Sequence, residues 1–261
     1  RSLLLYDYLM QIILASAKVM NEKHSACSLP THTPLFWNEA HKIVRDLQQY
    51  DVSTLSEILN CSIDIARQNK SRYAHFFDKG EYMPAILAYY GQAYKHLNAH
   101  NLSKEQLCFA DQHLWILSFL YGMLRPLDGI RPYRLEGNIF LESLGDMNVF
   151  DFWKSHLTQT LINAVHQDDG ILVHLATEEF QHLFDWKQLS ELQIIQPLFY
   201  VQTPSGLKMQ AVWAKTCRGA MTRWLLENPT LSPQELIAFQ YQGFRYSALH
   251  SSNDRPVFLK N

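Results

Sequence analysis

The sequence predicts an α+β protein with a mixed central sheet clad by helices, in one merged domain. Three observations carry that prediction. A chain of 261 residues with 47% hydrophobic content can bury a large core. Short apolar and β-rich runs are interspersed with capped helical stretches, without the regular alternation of a βαβ fold. The ten prolines and ten glycines are scattered, and no low-complexity tract or charge run marks a linker.

The elements follow in order. Leu3 to Leu5 and the later Ala15-Ser16-Ala17 imitate a secretory leader, but Asp7 interrupts an apolar run already too short to span a bilayer. Residues 1–9 therefore read as an upstream extension, residues 10–261 as the domain, and no membrane association is expected. Met10 to Ala15 is apolar enough for a buried first strand. Thr33-Pro34 pairs an N-cap with a first-turn proline and opens a helix to about Gln49, and Asp51 and Ser62 open two more. Ser103 and Gln106 have capping-box spacing, starting a helix toward His113. Strand-like runs occupy 85–90, 116–121, 171–176, 194–201, 208–213 and 256–259. From Ala214 to Asn228 the apolar residues fall on one helical stripe.

Composition limits the function classes. With 23 basic against 25 acidic side chains the net charge is −2, so no global field draws the protein to nucleic acid and any polyanion site must be local. Cys27, Cys61, Cys108 and Cys217 form no C-x-x-C pair, which suits reduced thiols in the cytoplasm. Twelve histidines include no H-E-x-x-H, and His96 and His100 alone make a poor ligand set, so no metal and no cofactor are expected. Nucleophile-elbow, Walker A and G-x-G-x-x-G motifs are absent from the sequence.

The candidate site residues are basic. Arg125, Arg131 and Arg134 lie within ten residues, and two Arg-Pro steps with Asp128-Gly129 between them bias the backbone toward extended and turn conformations. If 131–136 runs as a strand, Arg131, Tyr133 and Leu135 face one way and Arg134 and Glu136 the other. The alternative is structural pairing, Arg125 with Asp128 and Arg134 with Glu136. On the 214–228 helix, Lys215, Arg218 and Thr222 line one flank, with Gly219 leaving backbone open to a close-approaching group and Arg223 pointing to solvent. Lys18 follows the first strand, where open sheets present ligand-binding groups. Thr177, Glu178 and Glu179 follow the 171–176 strand as a helix start, with Glu179 a possible proton-transfer group.

The stretch Tyr121 to Asp128 reads Y-G-M-L-R-P-L-D, and Pro132 to Glu136 reads P-Y-R-L-E. Together with Ala85-Ile-Leu-Ala88, Gly91, Tyr94, Phe152-Trp153, Leu175-Ala176 with Glu179, Ala214-Lys215, Arg218-Gly219 and Ser251-Ser-Asn253, this ordered set resembles the YaaA family of peroxide-stress proteins from about Met10 onward. One departure is Ala15-Ser16-Ala17-Lys18, where the family usually reads S-P-A-K. The resemblance implies a cytoplasmic role in the oxidative-stress response, limiting iron-driven DNA damage. It also implies binding of double-stranded DNA, without sequence specificity, through a basic cleft that contains a helix-hairpin-helix-like element. Lys18, Arg125, Arg131, Arg134, Lys215 and Arg218 would then contact phosphates. The alternative is an enzyme acting on a nucleotide or other phosphorylated small molecule in the same anion pocket, with Tyr133, Glu179, Gly219 and Thr222 lining it.

Overall fold

The computed structural model describes residues 9–21, 29–80 and 82–261. The upstream extension, apart from Leu9, and Cys27 lie outside the described residues. In chain order the elements are β1 (Met10–Ala15), β2 (Val19–Met20), α1 (Trp37–Gln49), α2 (Val52–Ile58), α3 (Ile63–Ala74), β3 (Met83–Pro84), α4 (Ala85–Ala88) and β4 (Tyr89–Tyr90). Next come α5 (Gln92–Leu97), α6 (Lys104–His113), β5 (Leu114–Ser118), β6 (Gly122–Leu124), β7 (Gly129–Ile130), α7 (Val149–Gln167), β8 (Ile171–Leu175) and α8 (Glu178–Gln181). The chain closes with α9 (Trp186–Leu189), β9 (Gln193–Ile195), β10 (Leu198–Thr203), β11 (Gly206–Lys208), α10 (Ala211–Glu227), β12 (Arg245–Tyr246) and β13 (Val257–Lys260).

The larger sheet has the order β6-β5-β1-β8-β9, parallel except for β6. Every residue of β1 is buried, because strands flank it on both edges and helices α6, α7 and α10 pack against it. A continuous apolar run is what such a position requires. A second sheet, β11-β10-β13-β12, packs against α10 through β10. The α+β prediction matches this arrangement.

Caps explain several helix starts. Asp51 accepts from the Thr54 amide at 2.8 Å, and Ser103 and Gln106 exchange both bonds of a capping box. Elsewhere the boundaries move. Pro34 forms a turn with Trp37, so α1 begins three residues after the proline. Phe119 leaves the strand for a hairpin turned at Gly122, whose φ of 73° favours glycine. The apolar run from Ala85 splits into the short α4 and β4, and the run from Lys208 ends in α10. Residues 131–136 pair with no strand.

Candidate functional site

The carboxyl ends of β1, β5 and β8 open onto a cavity of about 290 Å³. That is the end of a parallel sheet where ligand-binding groups collect, because the loops leaving adjacent strands diverge there. Leu14 to Val19 form one wall, Phe119 and Leu175 with Thr177, Glu179 and Phe180 another. Tyr90 to Tyr94, leading into α5, and Lys215 and Arg218 of α10 close the far side, with Tyr133, Arg134 and Leu135 completing the lining. Phe119 and Phe180 stack face to face with ring centroids 4.4 Å apart and planes 8° apart, a largely buried pair on that wall.

Lys18, Arg134, Lys215 and Arg218 are thus brought together, with Tyr133 and Glu179. Glu136 is buried beside them: Lys18 Nζ reaches its two carboxylate oxygens at 2.9 and 3.1 Å, and Arg134 Nη2 reaches Oε1 at 3.1 Å. The Arg134–Glu136 pairing anticipated from sequence forms, and it also captures Lys18. Lys215 is exposed, whereas Arg218, one turn later, is half-buried. Burial holds the Arg218 guanidinium below its usual value, the field of Glu178 partly offsetting it. Glu179 is exposed on the first turn of α8.

Behind the cavity lies a hydroxyl network. The Tyr133 hydroxyl meets Ser118 Oγ at 2.6 Å and the Tyr89 hydroxyl at 2.9 Å, and the Tyr94 hydroxyl donates to the Ala15 carbonyl at 2.9 Å. All three phenols are buried, and desolvation pushes each above its ordinary value, so they remain protonated donors. His174, at the end of β8, stacks on Trp186 at 5.1 Å, and Nδ1 accepts from the Ala176 amide. Burial, with the field of Arg218 added, holds its imidazole down to about 3.

Two of the sequence-predicted arginines lie elsewhere. Arg125 donates to the Asp111 carbonyl at 3.2 Å and sits over the Trp115 ring, while its own amide donates to Asp128 Oδ2 at 2.8 Å. Arg131 donates to the carbonyls of His75 and Asp78 and stacks on Tyr82, 4.8 Å from the ring centroid. The two Arg-Pro steps hold these guanidinium groups as clamps between segments, away from the cavity.

Gly219 and Thr222 also face protein. A Cβ on Gly219 would stand 1.9 Å from the Ala93 carbonyl oxygen, so the close-approaching group is helix α5. Thr222 is fully buried and its hydroxyl donates to the Arg218 carbonyl at 2.8 Å. Arg223, expected in solvent, donates to the carbonyls of Leu97, Asn98 and Asn101 and so satisfies the carboxyl end of α5. α5 ends at Leu97, so His96 and His100 do not share a helical face, and His96 bonds the Tyr241 hydroxyl at 2.7 Å. Among the described residues no three His, Cys, Asp or Glu side chains are grouped to hold a metal ion. Sequence reasoning missed Gln92, Ala93, Phe119 and Phe180 as lining residues, since none carries a charge or a spacing signal.

A second concavity of about 500 Å³ shares Lys18, Val19 and Arg134 with the first and continues along α3 past Ile65, Asn69 and Arg72. Helices α2 and α3 are joined by the four residues Leu59 to Ser62, with Asn60 at φ 44°. Among the described residues no helix is long and apolar enough to cross a membrane.

Residues 10–249 match the family described as "Peroxide stress protein YaaA". A "UPF0246 protein" of Bacteroides thetaiotaomicron is 38% identical over 252 residues, covering 96% of this chain and 98% of that one. Similar proteins of Parabacteroides distasonis and Rickettsia rickettsii are 36% and 34% identical, each matched over its full length and covering 96% and 97% of this chain. Of the motif residues that carried the resemblance, Gly91, Tyr94, Tyr133 to Leu135, Leu175, Lys215 and Arg218 line the cavity and Gly219 packs against α5, and on sequence match and coverage alike the chain belongs to the YaaA family of peroxide-stress proteins.

Proposed function

We propose that the protein serves the peroxide-stress response in the cytoplasm by binding a small anionic molecule, phosphorylated or carboxylated, in the cavity at the carboxyl ends of the central strands. The observation that carries this reading is the convergence of Lys18, Arg134, Lys215 and Arg218 on a concave site of small-ligand size with apolar walls. Arg218 supports it further: it is half-buried and makes no hydrogen bond or ion pair with a described residue, so an incoming anion would supply the missing partner. Glu179 on the rim and the Tyr133 hydroxyl are the groups available for proton transfer should the ligand be a substrate.

Double-stranded DNA, bound without sequence preference, is the second reading, and a separate observation favours it. The groove along α3 continues the basic rim through Arg72, and α2 and α3, two helices joined by four residues, support the helix-hairpin-helix-like element that the family resemblance implies. A part in limiting iron-driven DNA damage, which the family resemblance implies, is compatible with either reading.

Calorimetric titration with adenosine 5′-monophosphate, in parallel with anisotropy of a short labelled duplex at several salt concentrations, separates the two. The small-anion reading expects saturable nucleotide binding that Arg218→Met weakens. Duplex binding whose affinity falls steeply with salt, with no response to the nucleotide, would replace it with the DNA reading.

A further inference from the structure

Two of the four cations at the cavity rest on one carboxylate that does not line it. Glu136 Oε2 and Oε1 accept from Lys18 Nζ at 2.9 and 3.1 Å, and Oε1 accepts from Arg134 Nη2 at 3.1 Å. Lys18 and Glu136 are 118 residues apart in the chain, so this contact joins the loop after β1 to the 131–136 segment. Among the described residues the Lys18 ammonium and the Arg134 guanidinium have no other hydrogen-bond or ion-pair partner, and Arg134 Nε is buried without one. The Glu136 side chain is 10% exposed and that of Lys18 54%. Resting on the small-anion reading above, we propose that Glu136 is the positioning residue of the site: it holds Lys18 and Arg134 from behind, presents their remaining N–H donors to the cavity, and so strengthens anion binding although it is itself an acid.

The donor count leaves room for a ligand. An ammonium has three N–H donors and a guanidinium five. Glu136 engages at most two of the first and, through Nη2, one of the second, so both head groups keep donors, and both residues line the cavity. Without Glu136, the exposed Lys18 side chain would sample many rotamers in solvent, and an anion would have to order it on binding. With Glu136 in place that order exists beforehand, which is how preorganisation raises affinity. Two effects oppose each other when Glu136 loses its charge: the loss of order weakens binding, and the loss of a negative charge strengthens it. The charge effect is the smaller, because Glu136 is set back behind Lys18 and Arg134, the three groups together keep one net positive charge, and salt screens what remains over about 8 Å.

Calorimetric titration of the whole protein with adenosine 5′-monophosphate, at low and at high salt, tests this in the parent and in Glu136→Gln, Glu136→Asp, Lys18→Met and the Lys18→Met/Glu136→Gln pair, each checked by thermal melting. Glu136→Gln is expected to bind about tenfold more weakly than the parent, the size of a lysine's rotamer freedom, and to do so at both salt concentrations. Removal of a repelling charge alone would instead tighten binding, with an advantage that fades as salt rises. Glu136→Asp keeps the charge but draws the carboxylate back by one methylene, so it too is expected to weaken binding. Because Glu136 acts through Lys18, its loss should cost less in the Lys18→Met protein than in the parent, whereas a merely structural role would cost the same in both. Tighter or unchanged binding in a folded Glu136→Gln protein, or the same cost in both backgrounds, overturns the positioning role and leaves the small-anion reading standing. Should Glu136→Gln fail to fold, parent-like affinity in Glu136→Asp overturns it equally. Failure of the parent to bind the nucleotide overturns the inference and the reading beneath it together.

Discussion

Replacing Gly219 by alanine puts two opposed effects on one position. Intrinsic helix propensity favours alanine over glycine in a helix interior by about 1 kcal/mol. The added Cβ, however, would meet the Ala93 carbonyl oxygen at 1.9 Å, its carbon at 2.6 Å and its Cα at 2.8 Å, all backbone atoms. Reaching ordinary contact at 3.4 Å requires α5 and α10 to separate by about 1.5 Å, and no rotamer change can relieve it. The separation would also stretch the Gln92 Nε2 to Thr216 Oγ1 hydrogen bond, now 2.8 Å. Overpacking costs about 1–3 kcal/mol and the lost bond about 1 kcal/mol, against the gain of about 1 kcal/mol in propensity, so the net loss is expected near about 1–3 kcal/mol. For a domain of this size that is a fall in Tm of about 2–12 °C. Urea unfolding followed by circular dichroism, with a parallel thermal melt, measures it. Because Gln92, Ala93 and Tyr94 form one wall of the cavity and Lys215 and Arg218 another, anion affinity should fall with stability. A Gly219→Ala protein as stable as the parent, or stabilised by the propensity difference, would refute the close helix contact.

Three further outcomes are expected. His174 titrates near 3 in the fold against 6.5 when exposed, so the unfolded chain binds more protons between these values and stability drops as pH falls through that window, by at most about 1.4 kcal/mol per pH unit; His174→Gln should flatten that part of a stability profile, and an unchanged profile would show the imidazole is not held neutral. Asp128 has the opposite sign. Burial, with the field of Asp111 added and the Arg125 amide opposing, raises its carboxyl from 3.8 to about 7, so the folded form binds the extra proton and stability declines as pH rises through that interval. Asp128→Asn, which keeps an oxygen acceptor for the Arg125 amide, should lessen the decline in denaturant midpoint between mildly acidic and neutral pH. Tyr133→Phe leaves Ser118 and Tyr89 without their shared partner and should cost about 1–3 kcal/mol, while a double-mutant cycle with Tyr89→Phe should give less than the sum of the two single losses; strict additivity would mean the network is not coupled.

What the sequence by itself determined is local or repeated along the chain. The apolar run of Met10 to Ala15 specifies a strand buried on both faces, Asp51, Ser62 and Ser103 specify helix starts through their own side-chain bonds, and the ordered motifs specify the family. Lys215 and Arg218 were legible as a pair because three residues apart on a helix means one flank. Tertiary structure decided which cations share a site. Arg125, Arg131 and Arg134 are alike in sequence, each beside a proline or a turn, yet only Arg134 reaches the cavity. The other two find carbonyls at Asp111, His75 and Asp78, partners 14 to 56 residues away that no spacing rule points to. Gly219 shows the same limit: a bare backbone edge signals close approach, but whether a ligand or helix α5 approaches depends on where residues 92–97 are carried by the intervening chain. The pairing of Phe119 with Phe180 is invisible beforehand because a buried aromatic and a ligand-facing one have the same local pattern, and only the pairing of β5 and β8 to the two edges of β1 brings the two rings together at the cavity.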